Sequence, residues 1–221
     1  TYPELKWAKR IRFGGLLDAP DGKGGSKGQG PVSGQAINLF GKNSKEVERM
    51  NIKKSLVKGT IPKKSGEAIV GHLFAEKMQL KIGDELTFMG TTMNGSMTFN
   101  VFKIAGTIRY GNASLDKGAM IIDFTDAEKM LDMQDGVGEL LGFYKNGKYN
   151  DALAEKHAEN FNEANKNSDQ FGPIMFTLKQ QNELAALIDQ ANNMSSIFVF
   201  VFVLAMSIVL WNTGLLGGLR R

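Results

Sequence analysis

MSSIFVFVFVLAMSIVLWNTGLLGGL, Met194 to Leu219, passes 26 residues without a charged side chain, and 18 of them are apolar. As a helix rising about 1.5 Å per residue it would reach about 39 Å, more than the roughly 30 Å of a bilayer's hydrocarbon. From Ile197 to Trp211 every residue but Ser207 is apolar, so no face keeps the polar stripe of a helix packed on a water-soluble core. Residues 194–219 are therefore expected to form a transmembrane helix. Trp211 stands near one end, where an indole suits the membrane interface, and Arg220 and Arg221 follow at once. By the positive-inside rule these residues place the C-terminal end in the cytoplasm and residues 1 to about 190 outside it.

Away from this run the composition is that of a folded, water-facing chain. The whole chain of 221 residues is 42% hydrophobic and 23% charged, and outside the run the hydrophobic share falls to about 38%, which is that of a folded rather than a disordered chain. The net charge is +4, but Arg220 and Arg221 supply two of those charges. The other basic residues are scattered or in short pairs such as Lys53-Lys54 and Lys63-Lys64, without the interleaved aromatics of a base-stacking surface, so no nucleic-acid partner is expected. The absence of cysteine excludes disulfide scaffolds, thiol nucleophiles and cysteine-ligated metals. The apolar run is too long and too C-terminal for a signal peptide. Export of a segment this size calls for a signal or an earlier span, and residue 1 is Thr, so the chain reads as a piece of a longer protein.

The region before the run alternates strand and helix patterns. Ile11 and Phe13 mark a first strand within residues 7–17; Asp18 to Pro31, DAPDGKGGSKGQGP, is Gly-rich without apolar period and reads as a mobile loop lacking any phosphate-binding motif. Gly34 to Gly41 is a second strand, and a short helix runs to Met50 with Ser44 as its cap. Ala68 to Val70 leads into a helix with Leu73, Phe74, Met78 and Leu80 on its core side. Gly83-Asp84 turns into the strand Glu85 to Met89, and strands Met97 to Ala105 and Ala119 to Asp123 follow. Thr125 and Glu128 have capping-box spacing. A β-α-β unit is then expected: Glu139 to Tyr144, a helix from about Tyr149 to Asn165, and the strand Pro173 to Leu178. Its helix sets Leu153, His157, Phe161 and Ala164 on one face, making His157 a packing residue; His72, at a strand-to-helix turn, has no second histidine at metal-ligand spacing. Neither a metal site nor a Ser-His-Asp arrangement has material to build on, while pairs of carboxylates stay open.

The last helix is expected to begin near Leu178 and run unbroken into the membrane. Leu184, Ile188, Ala191, Ser195 and Phe198 are spaced 4, 3, 4, 3, a coiled-coil seam that calls for a partner helix.

Four segments together resemble the extracytoplasmic core domain of ABC-transporter permeases of the MacB, FtsX and LolC/LolE superfamily. They are GHLFAEKMQLKIGDELTF (Gly71 to Phe88), FNVFKIAGTI (Phe99 to Ile108), MIIDFTDAEKML (Met120 to Leu131) and LWNTGLLGGLRR (Leu210 to Arg221). The resemblance implies an α+β, two-lobed domain lying between the first and second of four membrane helices. On that pattern residues 1–62 and 137–178 form a β-α-β, porter-like lobe, 63–136 an inserted β-rich, sabre-like lobe, 179–193 the stalk, 194–219 the membrane helix and 220–221 the start of a cytoplasmic segment. It also implies a cytoplasmic ABC ATPase that holds the ATP, a second permease copy or paralogue, and residence in a bacterial inner membrane. An extracytoplasmic partner or a lipoprotein would meet the outer domain. The expected function is mechanical transmission with no catalytic residue and no cofactor in this chain. Two other classes compete: a single-span anchored binding or adaptor module without an ATPase, and an anchored hydrolase.

Overall fold

The computed structural model describes residues 2–41, 44–166, 172–181 and 184–218. It divides into two compact units, Thr1–Gly147 and Lys148–Arg221. The first unit grows from two long strands, β1 (Leu5–Pro20) and β2 (Ser26–Ile37), paired antiparallel from Arg10 opposite Ile37 to Pro20 opposite Ser26. Then come α1 (Glu46–Arg49), α2 (Ile52–Ser55), β3 (Leu56–Gly59), β4 (Glu67–Gly71), α3 (His72–Lys77), β5 (Glu85–Thr91), β6 (Met97–Ile108), α4 (Ala113–Gly118), β7 (Ala119–Asp123), α5 (Phe124–Met130) and β8 (Glu139–Tyr144).

All eight strands join one sheet, ordered β2-β7-β4-β6-β5-β1-β8 with β3 beside β6. Because β1 also pairs with β2, the path β2-β7-β4-β6-β5-β1 returns on itself and closes into a ring. The β2–β7 and β4–β6 pairs are parallel and the other ring pairs antiparallel. Residues 63–136 contribute β4 to β7 and residues 1–62 contribute β1 and β2. The stretch expected as an inserted β-rich lobe and part of the stretch expected as the β-α-β lobe thus share one hydrogen-bonded ring.

Alternation along each strand sends one side chain set inward. Ile11, Phe13 and Leu17 of β1 meet Val32 and Ala36 of β2, Ala68 and Val70 of β4, Leu86 and Phe88 of β5, Phe102 and Ile104 of β6, and Met120 and Ile122 of β7. Phe13 and Phe88 pack edge to face with ring centroids 5.3 Å apart. Gly34, directly opposite Phe13, leaves the space this ring fills: a Cβ there would lie 2.0 Å from Phe13 Cε2. A second cluster occupies the other side of β4, β6 and β7, where Ile69, Ile108 and Ile121 gather with Ile37 and Ile52.

Three local expectations need correcting. The Gly-rich stretch from Asp18 to Pro31 is not a loop: only Asp21 to Gly25 turns, and the rest belongs to β1 and β2. Its glycines hide a strand because they replace side chains with room for a helix. A Cβ on Gly28 would lie 2.9 Å from Met78 Sδ, and one on Gly30 2.9 Å from Phe74 Cε2, both in or next to α3. The turn itself is closed by the Asp21 carboxylate, which accepts from Lys23 N and Gly25 N at 2.7 and 2.8 Å; these bonds hold its pKa below the ordinary value. Asp123, not Thr125, caps α5: its Oδ1 accepts from Thr125 N at 3.0 Å. The short helix before Met50 begins at Glu46, with Ser44 Oγ accepting from Glu46 N at 3.3 Å and Lys45 standing at the cap position.

One buried ionic cluster fastens α1. Glu46, 2% exposed, accepts from Arg10 Nε at 2.6 Å and Arg49 Nη1 at 2.8 Å, and the Arg49 guanidinium lies 3.8 Å from the centre of the Phe143 ring on β8. Removing the acid strands two guanidinium groups that cannot neutralise. Glu46→Ala is therefore expected to cost about 3 kcal/mol of stability in urea denaturation. Arg12→Ala, which removes the exposed Arg12–Glu139 pair, should cost less than about 1 kcal/mol in the same measurement.

The second unit contains α6 (Asp151–Ala164) and α7 (Leu184–Gly218), with residues 172–181 between them. The strand expected at Pro173 to Leu178 does not form: residues 172–177 have no regular secondary structure, and Leu178 to Gln180 turn. Nor does the last helix start at Leu178; it starts at Leu184. The buried side of α6 is displaced from the expected face. Ala158 is buried and Ala154, His157 and Phe161 half-buried, while Leu153 and Ala164 are exposed.

Candidate functional site

The features that distinguish this chain lie on α7 and where α7 begins. All five expected seam residues, Leu184, Ile188, Ala191, Ser195 and Phe198, fall within its 35 residues. Successive steps of four and three residues keep them within a narrow arc of the helix surface. Trp211 lies on the same helix and is 74% exposed; Arg220 and Arg221 fall outside the described residues. Among the described residues α7 is one helix long and apolar enough to cross a membrane, and none of its most apolar stretch is buried within the chain. Burial inside its own domain, the usual reason for such a helix in a globular protein, is thus absent. The hydroxyls of Ser207 and Thr213 donate to the carbonyls of Val203 and Val209 at 2.8 Å, so their polarity is satisfied within the helix.

Ahead of α7, a short segment is fastened to α6 by side chains that sequence reasoning missed. Asn162 Nδ2 donates to the Met175 carbonyl at 2.9 Å, and Met175 N donates to Asn162 Oδ1 at 2.8 Å, so one amide side chain imitates a neighbouring strand. The Tyr149 hydroxyl accepts from Leu178 N at 3.3 Å and donates to Asp151 Oδ1 at 3.2 Å. Lys179 Nζ pairs with Asp151 Oδ2. Nothing in the sequence singles out Asn162, since a polar residue near the C-terminal end of α6 breaks no pattern.

These contacts set the charges of the joint. The hydrogen bond from Lys179 holds the Asp151 carboxyl below its ordinary pKa, and the same bond raises that of Lys179. Burial pushes the Tyr149 phenol up. Since the Asp151 value is depressed, the pair is complete above the ordinary 3.8 and is lost as pH falls through the lower value.

The buried carboxylates of the first unit are already committed. Asp123 accepts from Leu39 N at 2.9 Å besides capping α5; Asp126 accepts from the Ser65 hydroxyl and from Gly66 N; Asp116 accepts from Tyr110 N at 2.6 Å and Gly111 N at 3.2 Å. Each staples a turn, leaving none of them as one of two facing acids at a cleft. His72 is buried with its Nδ1 3.4 Å from Thr107 Oγ1, and His157 lies half-buried on α6. Among the described residues no three His, Asp or Glu side chains gather as metal ligands.

The outer side of the ring carries one apolar row. Leu16, Met89 and Phe99 are opposite one another across β1, β5 and β6, and Met97 and Val101 flank Phe99 on the same side of β6. Phe99 is 63% exposed.

The chain is similar to the crystal structure of the periplasmic region of MacB from Actinobacillus actinomycetemcomitans. The two share 13% sequence identity with a TM-score of 0.49, over 82% of this chain and 77% of that one. No family model matches the chain, and no curated protein matches it.

Two outcomes check this account. Paired Val201→Arg and Leu204→Arg substitutions near the middle of the apolar run would add about 6 kcal/mol to insertion, and should stop this segment from crossing the membrane, read by the reaction of a cysteine placed at Leu219 with a membrane-impermeant thiol reagent. The Asp151 carboxyl, followed by carbon NMR, should titrate below 3.8 and move upward in Lys179→Ala.

Proposed function

We propose that this chain is the extracytoplasmic domain and following membrane helix of an ABC-type permease, and that it works by mechanical transmission. The single observation that carries the proposal is α7 itself, which runs 35 residues without a break from the folded unit through the apolar stretch. A helix of that length spans about 52 Å, so displacement at its far end reaches Leu184 as movement of one rod. The four segments that resemble the MacB, FtsX and LolC/LolE superfamily support the same reading. Three of them fold into β4 through β5, β6, and β7 with α5, which form the ring or lie directly against its interior.

In this proposal ATP is bound and hydrolysed by a cytoplasmic ABC ATPase, not by this chain. Residues 1 to about 190 lie outside the bacterial inner membrane, with Trp211, Arg220 and Arg221 at the cytoplasmic edge. The seam Leu184, Ile188, Ala191, Ser195 and Phe198 packs on a helix of the same permease, and a second copy or a paralogue completes the transporter. Nucleotide state biases two packings of the stalk, and the outer domain moves with it to export or release an amphipathic substrate, such as a lipoprotein, peptide or drug, or to activate an extracytoplasmic partner.

A second reading, a single-span anchored binding or adaptor module, is favoured by the row of exposed Leu16 and Phe99 with half-buried Met89 between them, since such apolar patches mark contact surfaces. One experiment separates them. Cysteines placed singly along the seam of the membrane-embedded full-length protein should crosslink to a partner helix in a pattern that changes between ATP-bound and ATP-free states. A pattern indifferent to nucleotide would remove the permease reading and leave the anchored module.

A further inference from the structure

Residues 172–181 do more than span the distance between two helices. Residues 172–177, without regular secondary structure, are side-chain-bonded to α6, and the turn that follows is hydrogen-bonded into the beginning of α7. The Lys179 carbonyl accepts from Ala185 N at 2.9 Å and the Gln181 carbonyl accepts from Leu184 N at 3.0 Å, so this segment supplies acceptors for the first amides of α7. At the other end of the same residue, the Lys179 ammonium holds Asp151 in the first turn of α6. Thr177, just before it, is buried, and its amide donates to Gln180 Oε1 at 2.9 Å, which fixes the turn carrying Lys179.

We propose that residues 172–181 are a strap through which movement of α7 is delivered to α6, with Lys179 as the residue that joins the two: its backbone holds α7 and its side chain holds α6. The strap acts on any displacement of α7, so it does not depend on what drives that helix or on the permease reading. Its three ties differ in kind and lie along α6 in order. The ion pair of Lys179 with Asp151 is at the first turn, the hydrogen bond from Leu178 N to the Tyr149 hydroxyl is just before it, and the pair of hydrogen bonds between Asn162 and Met175 is near the last turn. An exposed ion pair alone contributes little. Here it closes one end of a segment whose other end is held by two neutral hydrogen bonds from one side chain, so a pull on Lys179 is resisted along the length of α6 rather than at one contact.

The side chains outside the strap show which face is tied. Ile174, Phe176 and Leu178 are exposed, while Met175 is half-buried and Thr177 buried. The segment is held by the backbone of Met175 and Leu178 and by the Lys179 side chain, without a second strand.

Amide exchange on the full-length protein in lipid nanodiscs tests the strap. Lys179→Ala removes the ammonium but leaves the carbonyl that Ala185 uses. Faster exchange at the Ala185 amide in that variant can therefore arise only because the carbonyl has lost its position. Loss of the strap should raise exchange at Ala185, Leu178 and the first turn of α6 by about tenfold or more. Lys179→Arg, which keeps the charge and the donors, should restore exchange to near the wild-type rate. Asn162→Ala should raise exchange at Met175 and, through the strap, at Leu178. If Lys179→Ala leaves Ala185 at the wild-type rate, or if Asn162→Ala affects Met175 alone, the ties are independent and the strap does not exist. Exchange across β1 to β8 in the same samples reports whether the first unit has kept its fold, so general unfolding cannot pass for a positive result.

Discussion

Closure of the β-ring rests on one strand with both of its edges in use. β1 pairs with β2 from Arg10 to Pro20 along one edge, while the other edge is divided between β8 at Leu5 to Arg10 and β5 at Gly15 to Asp18. A strand of 16 residues is long enough to serve three neighbours, and without the short β5 contact the sheet would remain open. That contact requires Gly15 and Gly90 to be opposite one another, because a Cβ on Gly15 would lie 2.3 Å from the Met89 carbonyl oxygen. The Phe13 and Phe88 rings then occupy space that the glycines leave. The interior cluster and the helices α3 and α5 that pack on it lie within or against the ring so closed.

A different constraint governs the second unit. Its main helix has too many apolar side chains for water and none of the burial within the chain that would remove them from it. The apolar length of α7 matches a bilayer, which removes the same surface from water by another route. On the proposed function the two units are stabilised by the same physical effect in two media, a protein interior for one and hydrocarbon for the other. Among the described residues ahead of α7, Asn162, Tyr149 and Lys179 hold the segment 172–181 by side-chain hydrogen bonds and an ion pair.

Much of this was legible in the sequence where apolar period and burial coincide. The strands Ala119 to Asp123 and Glu139 to Tyr144 appear within the expected bounds, the core side of α3 includes Phe74 and Met78, and the apolar run lies in one helix. The pattern failed where glycine stands in for a side chain. Gly28 and Gly30 look like loop residues because nothing in a one-dimensional pattern reports the helix packed over them. It failed again at Pro173 to Leu178, where alternating Ile174, Phe176 and Leu178 have the period of a strand. Period reports which way side chains point but not whether a neighbouring strand exists, and there the neighbour is the Asn162 amide. Closure of the ring was illegible because it is a long-range pairing decided by β1 and β5, not by any local run. The strap residues were hidden for a related reason: single polar side chains 13 or 28 positions apart leave no periodic trace.

The position of β8 has a consequence for how load enters the folded unit. The covalent chain leaves β8 at Tyr144 and reaches the second unit four residues later, at Lys148. β8 lies outside the closed ring, and among the described strands it pairs with β1 alone, so on the proposed function tension arriving along the chain meets β8 before it meets the ring. The ring behind it has no terminal strand to peel and yields only by breaking a closed circuit. Arg49 over Phe143 and Arg12 paired with Glu139 pin this outer strand at its two ends. On the proposed function, β8 therefore stands between the second unit and the ring as the strand that a pull along the chain reaches first.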